Sequence, residues 1–497
     1  MNHSNPRFFE LYGEALFLLT AVGLTSLAWV VFGHWNLGNP SSSGETYLYF
    51  QGFKWDSLHT ILSQIRSPGY PLFLIICHDV LGGTGVVPLM QGLAILLGIS
   101  FWCHELKPYL PMAARAGVFL TCCASIPMSY INCMQSDAMG FALSLMAIAS
   151  FLRAQRSGWS PRYTLLLALF TFLALMVRPS SIYLYPAFAS VLIVLLGFHY
   201  RKTLISVMIL AAPLFLFLAL RYIVTGDLGV VSFAGFSLSG IAVQFLEPGH
   251  LESLPNHLLQ MGNWIIEKRE TMNFHPSHPD YFDQIKYHVV KPFWDERNDL
   301  SWLDFNAQLM VLSKTVILAS PMSYLDVIKG HLSYLWIGFH YHTPMAFLFR
   351  YGLGFLLVIK CWFGWPKLCW NWEIWLPITL TLACLFFSNL ITCLVIAPLS
   401  RYLMFYNAPF CCLWIGYIIF WLFHITKATE TTLKPLVIII IGTGASALLW
   451  IVLFYPPVRS TLKGTLYNPT VLLFPIIVVS ALRLGVYIYS KSIKKTL

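Results

Sequence analysis

The sequence predicts an all-α polytopic membrane protein of about twelve transmembrane helices, each needing about 20 apolar residues. Interfacial helices are expected in its first outer loop, and a long outer segment before the later spans. Three observations predict this class. The chain of 497 residues is 57% hydrophobic and only 10% charged, whereas an ordinary soluble protein carries about 25% charged residues. Its mean hydropathy is +0.68. Aromatic residues make up 16%, which fits Trp and Tyr belts at the two membrane interfaces. The same composition excludes a disordered chain, a collagen, a coiled coil and a secreted disulfide scaffold. The net charge of +10 does not make nucleic acid a partner. The basic residues are scattered through short loops, with no basic stripe or RNA-binding signature.

In chain order, the apolar runs lie at 11–33, 84–103, 113–133, 138–152, 163–177, 181–198, 203–223, 343–363, 374–398, 402–423, 435–455 and 470–489. The first is too long for a cleaved signal and no small-residue cleavage site follows it. The run at 138–152 is the shortest of the set. With the N-terminus in the cytoplasm, Lys107, Arg115, Arg153, Arg156, Arg162, Arg201 and Lys202 fall in cytoplasmic loops. These loops then hold more than twice the Lys and Arg of the short loops on the other side, as the positive-inside rule asks. An even number of spans puts both ends inside. Three parts follow: a transmembrane module over 1–226 with its first outer loop at 34–83, an extracytoplasmic segment over 227–342, and a second transmembrane module over 343–497. The middle segment holds more than half of the chain's 21 acids. With Pro248, Pro276 and Pro279 in it, an irregular or short-helical region is expected there. The 11 cysteines include the adjacent pairs Cys122–Cys123 and Cys411–Cys412 inside apolar runs, where thiols act as small core hydrophobes. His275, His278 and His288 match no standard zinc spacing.

Charges beside apolar spans are costly and therefore informative. On the outer side they recur in one layer. Glu45, Asp56 and Arg66 lie in the first loop, Asp137 opens the fourth span, Arg178 closes the fifth, Arg221 closes the seventh and Arg401 opens the tenth. Acids and arginines converging at one interface suggest a pocket for an anionic head group, with carboxylates for acid–base work. Each has a plainer reading. Arg178 and Arg221 can snorkel to phospholipid phosphates, Asp137 can cap its helix, and Glu45 can be a solvated loop residue.

The order of these features resembles the GT-C superfamily of polyprenyl-phosphate-dependent glycosyltransferases, above all protein O-mannosyltransferases and lipid A aminoarabinose transferases. The first loop reads GETYLYFQG, then Arg66-Ser67-Pro68-Gly69-Tyr70-Pro71-Leu72, similar to the R-x-P-x-Y-P-L stretch that begins an interfacial helix in bacterial members. Gln135-Ser136-Asp137 resembles the second-loop acid, Arg178-Pro179 the R-P at the end of the fifth span, and Ser400-Arg401-Tyr402 the R-Y of a late span. The likeness covers about residues 1–425. The family acid is normally Asp in a D-x-x-Y pattern. Here the stretch is Glu45-Thr46-Tyr47-Leu48, and Asp56 is a rival for the role.

The resemblance implies a sugar donor on polyprenyl phosphate and an inverting transfer to a hydroxyl acceptor, whether lipid, glycan or protein. Glu45 is the implied base, Asp137 orients the acceptor or a metal, Arg178 and Arg401 hold the phosphate, and Arg66, Tyr70 and Tyr402 line the substrate site. Some relatives bind a divalent metal, and two carboxylates are too few ligands to assign one here. The sequence leaves a bacterial inner membrane and a eukaryotic endoplasmic reticulum both open, and the motif style resembles the bacterial members. Three other readings stay open: a polyprenyl-linked glycan polymerase or ligase, a transporter or flippase, and an inactive scaffold. Against transport, no internal repeat is visible and the charged layer sits at the face rather than the midplane.

Overall fold

The computed structural model describes residues 53–125, 128–196, 200–271, 281–297, 300–338 and 372–395, with single residues and short stretches between 15 and 30, at 40–41 and between 412 and 420. Among them the regular elements are helices, with one isolated β-bridge. Among the described residues five helices are long and apolar enough to cross a membrane: Thr84–Glu105, Ser136–Arg156, Pro179–Leu196, Arg201–Thr225 and Leu376–Val395. The protein is an all-α membrane protein. Helical residues between Phe17 and Leu27 fall where the first span is expected. The expected spans at 343–363, 435–455 and 470–489, and most of 402–423, lie outside the described residues.

The first loop contributes α1 (Leu58–Ser63) and α2 (Gly69–Ile75), the latter running into a π-helical turn over Ile76–Val80. Six helices follow: α3 (Val87–Glu105), α4 (Met112–Ser125), α5 (Ser136–Arg156), α6 (Pro161–Val177), α7 (Leu184–Leu196) and α8 (Tyr200–Thr225). Within the run at 113–133 the described residues are helical over α4 and again over Met128–Asn132, and residues 126–127 lie outside the described residues. One expectation changes here. The run at 138–152 is not short. α5 extends to 21 residues because Arg153 and Arg156 stay helical in its last turn, where cations complement the helix dipole.

Helices α3 and α5 run parallel. Gln91 meets Ile131 and Cys133 at one end, and Glu105 meets Arg153 and Arg156 at the other. Between them, a Cβ on Gly98 would lie 2.8 Å from the Ala142 carbonyl oxygen, so only glycine permits that approach, as small residues do in membrane helix pairs. The chain reverses from α5 into α6 through Gly158 and Trp159, with φ of 66° and 64°. Trp159 tolerates this strained backbone because its N–H donates to Ala154 O at 2.8 Å and its ring packs edge-on to Phe151. Pro161 then opens α6, where its fixed φ suits a first helical turn.

The segment after α8 is more regular than expected. It contains α9 (Ala234–Ala242), α10 (Leu259–Glu270), α11 (Trp302–Ala319) and α12 (Pro321–Gly338). Pro248, Pro292 and Pro321 stand at helix starts rather than interrupting helices. A second apolar core forms here from Phe236, Leu258, Ile265, Val289, Phe305, Leu309 and Val316. Phe305, Leu309, Leu312 and Val316 recur at helical spacing along α11 and all point into it. A last described helix, α13 (Trp372–Val395), packs on α7.

Candidate functional site

The site is built where the first loop, the start of α5 and the end of α6 meet. Ser41 forms the one described β-bridge, to Cys133. Its N–H donates to Asn132 O at 2.8 Å, and Met134 N–H donates to its carbonyl at 3.1 Å. Gln91 ties the same strip to the interfacial helix. Its Nε2 donates to Ile131 O at 2.7 Å and Cys133 O at 3.0 Å, and its Oε1 accepts from the Tyr70 hydroxyl at 2.9 Å. Gly69 presses directly on the last turn of α6, where a Cβ would lie 2.6 Å from the Met176 carbonyl.

Two residues beyond Met176, Arg178 ends α6 in an extended conformation with φ −141°. Its side chain folds back across α5 and its Nη1 lies 2.6 Å from Asp137 Oδ1. Its Nε donates to Ser180 Oγ at 3.0 Å. Only 2% of the Asp137 side chain and 8% of the Arg178 side chain are exposed. The plainer readings of Asp137 and Arg178 therefore fall. Asp137 sits in the first turn rather than at the cap and spends its carboxylate on Arg178, and Arg178 does not snorkel. Gly140, three residues on and on the same helix face as Asp137, makes room. A Cβ there would meet Arg178 Cβ at 2.9 Å and Cδ at 3.0 Å.

Matched against protein-family models, curated proteins and solved structures, the chain finds no counterpart.

The remaining residues of the predicted layer fall into three groups. Glu45, Arg401 and Tyr402 lie outside the described residues. Asp56 is exposed on the turn before α1. Tyr70 is fully buried with its hydroxyl on Gln91, so it holds the interfacial helix in place rather than presenting a ring to a sugar. Arg66 places its guanidinium 5.5 Å from the Phe233 ring centroid. Arg221 is also buried, donating to Asp227 Oδ2 at 2.7 Å and Ser232 Oγ at 2.6 Å, and so pins the exit of α8 instead of reaching for lipid.

Reasoning from sequence missed Gly140, Gln91 and Lys286. A glycine three residues after a helical acid was the available signal for the first. Gln91, a polar residue two turns into an apolar run, was legible as an oddity, but not its partners. Lys286 lies in a π-helical turn, 97% buried. Its Nζ is 4.2 Å from the Phe282 ring centroid, 5.3 Å from Tyr287, 5.7 Å from Phe236 and 5.8 Å from Phe233. Cations of the first loop and of the later segment thus share the Phe233 ring. Among the described residues no three His, Cys, Asp or Glu side chains gather into a metal-binding group. Asp137, the described acid that the resemblance offers to a metal, already faces the Arg178 guanidinium.

Proposed function

We propose that the protein is an inverting glycosyltransferase of the bacterial inner membrane, moving a sugar from polyprenyl phosphate to a hydroxyl acceptor at the outer face. Both chain ends are cytoplasmic in this reading. One observation carries it: a sunken Asp137–Arg178 pair lies at the end of α5 to which the first loop is stitched through Ser41 and Cys133. The family-like order of motifs needs this meeting, and two arginines snorkelling separately would not produce it.

In the proposed reaction the acceptor oxygen attacks the anomeric carbon and the bond from that carbon to the lipid phosphate breaks. The electron pair leaves with the phosphate and the acceptor proton passes to Glu45. Arg401 takes the leaving phosphate with Arg178, since guanidinium forks match phosphate oxygens. Asp137 then acts as a positioning residue that fixes the Arg178 fork, and Tyr70 acts through Gln91 on the loop. The acceptor's identity and a divalent metal are left open by this chemistry.

The test uses the full chain in proteoliposomes with polyprenyl-phosphate-linked sugars and an envelope extract as acceptor, measuring released polyprenyl phosphate. Glu45→Gln is expected to lower turnover about 10²-fold or more with donor binding retained, while Asp56→Asn changes it far less. The reverse ranking moves the base to Asp56. Near-normal turnover in both variants supports a polymerase, ligase or transporter instead.

A further inference from the structure

Helices α11 and α12 meet at Ser320 with a bend of 101°. Ser320 leaves helical geometry with φ −134° and ψ 65°, and Pro321 starts the next helix. The elbow is latched from one side. His250 accepts the Glu247 N–H on Nδ1 at 3.0 Å, which puts its proton on Nε2, 2.7 Å from Ser320 Oγ. Among the described residues the outward side of the elbow is apolar and exposed: Leu318 is 81% exposed, Met322 69% and Leu325 53%. These are the side chains a water-facing turn avoids.

The level of the elbow follows from α13, one of the candidate spans. The Tyr324 hydroxyl donates to Leu394 O at 2.8 Å, the His331 ring lies 3.3 Å from Cys393 O, and Ile328 packs on Cys393. These carbonyls belong to the C-terminal residues of the candidate span Leu376–Val395. Helix α12 therefore packs against that end of a candidate membrane span. Along α12 the exposed stripe changes from Met322 and Leu325 to Asp326 and Lys329, so the apolar part is confined to the elbow. Helix α11 commits its inner face to the second core through Phe305, Leu309, Leu312 and Val316.

We propose that this elbow is a re-entrant membrane anchor, with Leu318, Met322 and Leu325 seated in the acyl region of the adjoining leaflet. Its occupant is lipid, because the face is continuous with the end of a span. Apolar contact drives it rather than charge. Exposed Lys314 and Lys329 are offset by Asp326 and by Glu247 and Glu252, which line the hollow behind Ser320. Neutral phosphatidylcholine is thus sufficient, without the anionic lipid that a basic amphipathic helix requires.

The proposal is independent of the glycosyltransferase reading and is tested without activity. A benzophenone amino acid is placed at position 318 or 322 of the full chain in phosphatidylcholine nanodiscs, with positions 252 and 329 as controls. After irradiation, lipid adducts are read by mass spectrometry. Positions 318 and 322 are expected to give about tenfold more lipid adduct than the controls, with no dependence on salt. Equal yields at all four positions, no adduct, or crosslinks to a second copy of the chain overturn the proposal. A nitroxide at Met322→Cys gives the second reading. Greater relaxation by oxygen than by a water-soluble nickel chelate supports insertion, and the opposite order defeats it.

Discussion

Helix α5 carries a buried carboxylate contact at each end, and the two differ in kind. At its C-terminal end Glu105, with 2% of its side chain exposed, is held by Arg156 and, at 3.7 Å, by Arg153. Those arginines keep 27% and 39% of their own side chains in contact with solvent, and Tyr163 stacks beneath Arg153 with Arg162 beside it. This is an exposed arginine cluster closing over one acid. At the N-terminal end both partners are sunken, and the arginine comes alone from α6 across a glycine. The first arrangement ties helix ends together and gives its arginines water to fall back on. The second keeps the full charge of Arg178 inside the protein opposite Asp137, a placement with a large desolvation cost.

The widest separation between the two ends is expected from removing each acid. Asp137→Asn removes the carboxylate that faces the buried Arg178 and should cost about 3–5 kcal/mol of stability, the usual range for breaking a buried pair. Turnover should fall with it. Glu105→Gln should cost about 1–2 kcal/mol, because Arg153 and Arg156 can hydrate, and leave turnover per folded molecule unchanged. Melting temperatures in detergent, set beside donor turnover, check both. Equal losses of stability and activity at the two ends would erase the distinction.

A finer cut uses two glycines with similar steric demands. Gly140→Ala drives a methyl group into Arg178, and Gly98→Ala drives one into the Ala142 carbonyl. Each overpacking should cost about 1–3 kcal/mol. Only Gly140→Ala is expected to reduce turnover beyond its effect on folding, and a comparable loss of turnover in Gly98→Ala would assign both to packing. The smallest effect is expected from Tyr70→Phe. It removes one buried hydrogen bond and leaves Gln91 Oε1 without its donor, at a cost of about 1 kcal/mol. Asp79 and His78 on the exposed π-helical turn of the same loop serve as its control, since substitution there should move neither stability nor turnover.

Much of the layer was legible because charge is rare in this chain. With 10% charged residues, each acid or arginine beside an apolar run stands out, and Asp137 and Arg178 were both identifiable as members of one face. Their direct pairing was not. Asp137 at the head of a helix has the same sequence pattern whether it caps that helix or reaches across to α6. The extended backbone of Arg178 and the absence of a side chain at Gly140 decide between the two. Tyr70 carried the opposite lesson. Its motif placed it near the site, while packing turned its hydroxyl inward to Gln91.

The sequence by itself determined the solvent of this protein. Its hydropathy and charge leave no way to cover a 497-residue soluble surface, and helices are the form that satisfies every backbone group in lipid without a closed barrel. It also determined which residues are expensive to place. Only the tertiary structure decided where those costs are met. The fifth-span arginine is neutralised by a fourth-span acid, the seventh-span arginine by Asp227, and the α11–α12 elbow turns its apolar residues outward because its other face already fills a core. The physical reason is that these outcomes depend on contacts between residues 41 apart, as in Asp137 and Arg178, or 70 apart, as in Tyr324 and Leu394. Local periodicity and propensity carry no information over such separations.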